Sequence, residues 1–206
     1  QLQEALERFQ AALRINQALG KISGCAANLN NTGSLYISLG RVDEALECYL
    51  KALALAEAAG DRSGTATTLY NIGDTYAELA QTEKAIEFLQ RALRVSEELG
   101  DLPFAGENWH ALGMAWADHG AHERSLESYE KAATIFSQLG LPVKAAHAMR
   151  DAGLAQASIG QIDQATELYA KARAIYEAHG VKDGIAVIEN NLGGLHWDAG
   201  RLAEAQ

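Results

Sequence analysis

LYNIGDTYAELAQTEKAIEFLQRALRVSEELGD, residues 69–101, and WHALGMAWADHGAHERSLESYEKAATIFSQLGL, residues 109–141, are one pattern written twice. Each carries Gly at its fifth place, an aromatic residue at its eighth and a Leu-Gly pair near its end, forty positions out of phase. The same offset runs through the chain. Gly20, Gly60, Gly100, Gly140 and Gly180 form one series, and Gly33, Gly73, Gly113, Gly153 and Gly193 a second. Gly40, Gly120, Gly160 and Gly200 form a third, with Ala80 in the missing place, and Ala12, Ala52, Ala92, Ala132 and Ala172 a fourth. A repeat of 20–50 residues is the signature of stacked supersecondary units.

Each series has its own physical reading. Gly20 and its mates follow helical runs such as VSEELG, where a residue free to take positive φ stops a helix. The third series stands before RVDEAL-like runs, with Asp43, Glu83, Glu123 and Asp163 in the first turn of the next helix, where negative charge suits the helix dipole. The second series falls inside helices. Gly there costs about 1 kcal/mol against Ala, so its recurrence implies that two helices approach closely. Leu46, Tyr49, Leu50, Leu53 and Leu55 give one helix-spaced apolar stripe, and Leu29, Thr32, Gly33 and Tyr36 another. No β-type alternation occurs.

These patterns predict a single all-α array over 1–206. A lone helix over 1–19 precedes helix pairs over 22–59, 62–99, 102–139 and 142–179, and a partial repeat over 182–206 follows. RLAEAQ at 201–206 restarts the second helix of a pair after Gly200, and QLQEALERFQ opens at the same phase. The expectation is a piece of a longer protein, or head-to-tail self-association through uncapped ends.

Composition narrows the function. The 206 residues hold 17 Lys and Arg against 27 Asp and Glu, a net charge of −10. That balance disfavours nucleic acid and anionic membrane surfaces as partners. Only Pro103 and Pro142 interrupt an Ala-rich chain, as helix propensity favours. Cys25 and Cys48 match no metal spacing and read as buried free thiols, with a cytoplasmic location expected. Phosphate-loop, dinucleotide, G-x-S-x-G and H-E-x-x-H motifs are missing. The expectation is therefore a protein that is not an enzyme and needs no cofactor.

The repeat resembles the tetratricopeptide repeat, whose pattern is aromatic-x-x-Leu-Gly-x-x-Tyr followed by Ala-x-x-x-aromatic. Trp109, Leu112, Gly113 and Trp116 carry the first half, and Leu69, Ile72, Gly73 and Tyr76 carry it with Leu in the aromatic place. Ala5 and Phe9, Ala45 and Tyr49, and Ala165 and Tyr169 carry the second half. The period is 40 rather than about 34, and the closing Pro is missing. That is similar to the long-helix variety of spindle-orientation scaffolds, kinesin light chains and many bacterial regulators. Later repeats depart: Gln156 and His196 stand for Tyr, and Glu189 for the leading aromatic.

The resemblance implies a right-handed α-α superhelix, or solenoid, of about five 40-residue helix-turn-helix repeats. First helices would line a concave groove and second helices the convex back. The implied peptide-binding places are Asn30, Asn31, Tyr70, Asn71, Asp74, Glu78, Glu107, His110, Asp118, His147, Arg150, Asp151, Asn190, Asn191 and Trp197, with Asp198 beside them. Ala111 falls on the same face. Asn31, Asn71 and Asn191 share the register at which the family holds a peptide backbone, a task suited to an amide that both donates and accepts. The alternative is a merely polar exposed face. Lys and Arg are missing from these places in the first three repeats, so the cationic carboxylate clamp of the chaperone-binding branch is not expected. Asp74, Glu78, Glu107, Asp118, Asp151 and Asp198 suggest a ligand of basic or mixed charge, or else a solvated acidic face. His110, His147 and Arg150 suit an anionic group, a pH response or a simple rim. His119 and His122 lack further metal ligands. Trp109 and Trp116 read as core. Function then stands between a protein–protein interaction module, a ligand- or peptide-sensing segment of a larger regulatory protein, and a spacer.

Overall fold

The computed structural model describes residues 2–204, and side chains through residue 197; the Asp198 side chain therefore lies outside the described residues. Among the described residues the chain forms ten α-helices and no strand: α1 Leu2–Ala18, α2 Ile22–Ser38, α3 Val42–Ala58, α4 Arg62–Glu78, α5 Thr82–Leu99, α6 Leu102–Asp118, α7 His122–Gln138, α8 Pro142–Ser158, α9 Ile162–His179 and α10 Lys182–Glu204. It is an all-α solenoid of helix pairs. Two compact units make it up, Gln1–Asp101 and Leu102–Gln206.

The turns are set locally. At the end of α2 the Gly40 N–H bonds the Ile37 carbonyl and the Arg41 N–H reaches back to Tyr36, both at 2.9 Å, which is a Schellman closure. The closure needs a left-handed residue, and Gly40 supplies it at φ 70°. The Tyr76–Gln81 turn makes the same two bonds at 2.9 Å with Ala80 at φ 54°, the only non-glycine with positive φ among the described residues. Asp61 caps α4 by accepting from the Gly64 N–H at 2.9 Å. Pro142 opens α8 at a position where its missing N–H is harmless.

In the first unit α1 lies on α2, α2 pairs with α3, α3 lies on α4 and α4 pairs with α5. The buried face of α3 is Ala45, Tyr49, Ala52, Leu53 and Ala56. Leu50, expected on the apolar stripe, is 46% exposed. It lies one residue, about 100° of helix, beyond Tyr49, and the small alanines let the neighbouring helices close without it. Buried hydroxyls in α4 are satisfied within the helix: Thr68 donates to the Gly64 carbonyl at 2.8 Å and Thr75 to Asn71 at 2.7 Å.

In the second unit α6 pairs with α7 and α8 with α9, α7 lies on α8, and α10 lies on α9 and α8. Its core joins Ala146, Ala165, Tyr169, Ala172, Tyr176 and Ile188, all fully buried. Burying a side chain such as Ile188 contributes about 1.5–3 kcal/mol. Gly113 shows why a mid-helix glycine recurs. A Cβ there would meet the Tyr129 ring at 2.5 Å, and its carbonyl accepts from the buried Ser125 hydroxyl of α7 at 2.8 Å. Trp109 and Trp116, expected as core, are half-buried. Lys131 sits 4.1 Å over the first ring and Arg124 4.6 Å over the second, so cations share the cover. Cys25 is buried as expected, whereas Cys48 is only partly so. The helix end expected at Gly200 does not occur, because α10 runs on to Glu204; the surrounding Ala, Arg and Leu are strong helix formers that carry it through.

Candidate functional site

In the first unit the expected groove residues fall on α2 and α4. Asn71 Nδ2 donates to Asn30 Oδ1 at 3.0 Å, joining the two helices side by side. Asn31 is exposed beside this pair and Tyr70 is half-buried. A recess of about 280 Å³ between the helices is lined by Ala27, Asn30, Asn31, Asp61, Ser63 and Thr67, and offers amides and hydroxyls with a single carboxylate. One turn further on, Ser34 Oγ lies 3.0 Å from the Tyr49 hydroxyl. Asp74 is half-buried there, and its carboxyl is pushed above the ordinary range, first by burial and then by the charge of Glu78.

The second unit differs in chemistry. Asp151 of α8 is the centre: His110 Nε2 of α6 lies 2.9 Å from Oδ2, and Arg150 Nε donates to Oδ1 at 2.8 Å. Burial works against the Arg150 charge, and the charge and hydrogen bond of Asp151 outweigh it, so the guanidinium titrates above its usual value. The His147 imidazole lies 5.5 Å from the Tyr176 ring, and that of His110 lies 5.4 Å from Tyr129. Burial, then the nearby Arg150 charge, push His147 below its ordinary range. Burial, then Asp151, push the Tyr129 phenol well up.

Of the six expected acids, Glu107 and Asp151 do not stand free. Lys144 of α8 pairs with Glu107, and His110 and Arg150 hold Asp151. Lys144 reaches Glu107 from the next helix pair and His110 reaches Asp151 from the one before, which spacing within one repeat does not reveal. Asp118 is exposed. Ala111, placed on the groove face by register, is buried at 4% exposure because α6 turns that position into its packing surface. Asn190 and Asn191 of α10 line a recess of about 350 Å³ with Leu154, Ser158, Tyr169 and Gly194. The Tyr169 hydroxyl faces Asn191 but makes no hydrogen bond of standard geometry. Trp197 is 69% exposed.

Sequence reasoning gives no place at this face to the tyrosines that back it: Tyr129 and Tyr176 carry no reading there, and Tyr169 reads only as a repeat-motif residue. Tyr176 is the one with a signal: the same place holds Ala56 and Ser96 in earlier repeats, and only the last two, with Phe136 and Tyr176, put a large ring there. Among the described residues no three His, Cys, Asp or Glu side chains gather to hold a metal ion, and no helix is long and apolar enough to cross a membrane.

Residues 24–98 match the tetratricopeptide repeat family model. That segment carries tetratricopeptide repeats. Solved structures share their fold along most of the chain's length. BtubC from P. vanneervenii is 22% identical with a TM-score of 0.82, over 87% of this chain and 74% of that one. MamA is 23% identical with a TM-score of 0.66, over 84% and 88%. A Rap protein complexed with competence and sporulation factor is 18% identical with a TM-score of 0.66, over 99% and 61%. No curated protein sequence matches. In the tetratricopeptide-repeat frame, α2, α4, α6, α8 and α10 are the first helices of their repeats, and every expected site residue lies on one of them.

Proposed function

We propose that these tetratricopeptide repeats form a non-catalytic protein–protein interaction module, holding a peptide or protein segment against the first helices of each unit. The observation that carries this reading is the exposed amide face of the first unit. Asn30 and Asn71 orient each other, Asn31 stands beside them in solvent, and the recess that Asn30 and Asn31 line is polar, with Asp61 as its one acid. Such a face suits the alternating donors and acceptors of an extended backbone. Asp74 and Glu78 extend it with negative charge, which favours a basic or mixed-charge segment there.

A second reading, a peptide-sensing segment of a larger regulatory protein, is favoured by the likeness to a Rap protein complexed with competence and sporulation factor. It uses the same face.

Selection from a random peptide display library tests both. Enriched peptides should bind the wild-type chain, bind Asn31→Ala/Asn191→Ala at least roughly tenfold more weakly, the loss of about 1.4 kcal/mol of contacts, and bind Arg91→Ala like wild type. Arg91 serves as the control because it lies in a different recess of the first unit, with Glu57 at 3.4 Å. Equal loss in the control, or no enrichment, would overturn the groove reading.

A further inference from the structure

The Arg150 guanidinium is not used up by Asp151. Nε and one terminal nitrogen lie 2.8 and 2.7 Å from the same carboxylate oxygen, so the other terminal amino group keeps its donors. The side chain is 23% exposed, so these donors are reachable. One helical turn earlier, His147 presents a half-buried ring whose nitrogens make no hydrogen bond among the described residues. Beneath it the Tyr176 hydroxyl is buried and without a partner among the described residues, and an unmade bond of that kind is costly. Three unspent donors therefore meet at one corner of α8 and α9.

We propose that this corner of His147, Arg150 and Tyr176 receives a carboxylate of the bound segment, and that it takes up a proton as it does so. The proposal rests on the peptide-binding reading and specifies what the second unit recognises. A carboxylate fits better than a phosphate because the surplus charge is small. Arg150 and Asp151 cancel, so a net positive charge arises only when an imidazole is protonated. The groups around His147 are Arg150 and Asp151 on its own helix, His110 from α6 and Tyr176 from α9. From α10, Glu189 is turned away onto Arg173 at 2.7 Å. Burial and then the Arg150 charge disfavour a proton on His147, and an anion seated beside Arg150 would offset the second of these, so carboxylate and proton would bind together.

The test is a titration with sodium acetate, replacing chloride at constant ionic strength, followed by NMR of the histidine side chains at pH 5.5 and 7.5. The expected result is a saturable shift of the His147 resonance, with affinity roughly tenfold higher at the lower pH, as one unit of pKa linkage gives. Arg150→Gln should abolish saturation, and Tyr176→Phe, which keeps the ring in the core, should weaken binding several-fold. Inorganic phosphate should bind no more tightly than acetate. A linear response, a response unchanged in Arg150→Gln, or equal affinity at both pH values would overturn the proposal. Library peptides with a free C-terminus, with an amidated one, or with internal Asp or Glu distinguish the source of the carboxylate. Failure with acetate while groove peptides still bind would remove the corner and leave the module standing; the reverse result would do the opposite.

Discussion

Asn71 donates to Asn30 across 41 positions, and His110 meets Asp151 across the same 41. One stacking register thus produces an amide pair in the first unit and a charge-capable pair in the second. The amide bond is part-buried, so a double-mutant cycle of Asn30→Ala and Asn71→Ala should show coupling of about 0.5–1.5 kcal/mol in urea unfolding. Asn31→Ala, exposed and outside the pair, should leave the urea midpoint unchanged. Additive losses at 30 and 71 would mean that the bond does not persist in solution.

The mid-helix glycines are not equivalent. Gly113→Ala puts a methyl against the Tyr129 ring and should cost about 1–3 kcal/mol. Gly193 has nothing within 4 Å of its Cβ position, so Gly193→Ala in α10 should stabilise by about 0.4–1 kcal/mol. Thermal unfolding of the two variants reads the contrast directly.

Ala80 holds a left-handed turn that glycine holds elsewhere. Ala80→Gly should relieve about 1 kcal/mol of strain, since the left-handed region costs about that much for a residue with a Cβ. A lower melting temperature in the variant would show that the turn is stabilised by more than backbone freedom.

Asp74 titrates above its ordinary range because of burial and Glu78. The folded chain thus holds that proton more tightly than the unfolded one, and ionised Asp74 is a penalty at neutral pH. Asp74→Asn should raise the urea midpoint at pH 7, with the gain fading as pH falls towards the ordinary carboxyl range. If Asp74 also meets the ligand, the more stable variant should bind more weakly.

His147 is shifted the other way, below about 6.5. The unfolded chain then takes the proton more readily, so this group withdraws stability as pH falls through about 6.5 and is neutral above it. His147→Gln should flatten that part of the stability–pH curve. An unchanged curve would assign the slope to other groups.

The forty-residue period determined the helix pairs and their order, because those depend on local chemistry. A left-handed residue ends a helix, acids favour the next first turn, and Gly113 opposite Tyr129 leaves room for one helix on another. The first-helix placement of the candidate residues was legible for the same reason. Their state was not. Whether Glu107 is free or neutralised depends on where Lys144 arrives, and Asn30 is committed only because stacking brings Asn71 beside it. Leu50 reads as core by periodicity and is left exposed because alanines let the neighbours close over Tyr49 instead. Contacts between repeats are set by the angle and offset at which helix pairs stack. That geometry comes from the summed packing of many side chains, and the tertiary structure alone decided it.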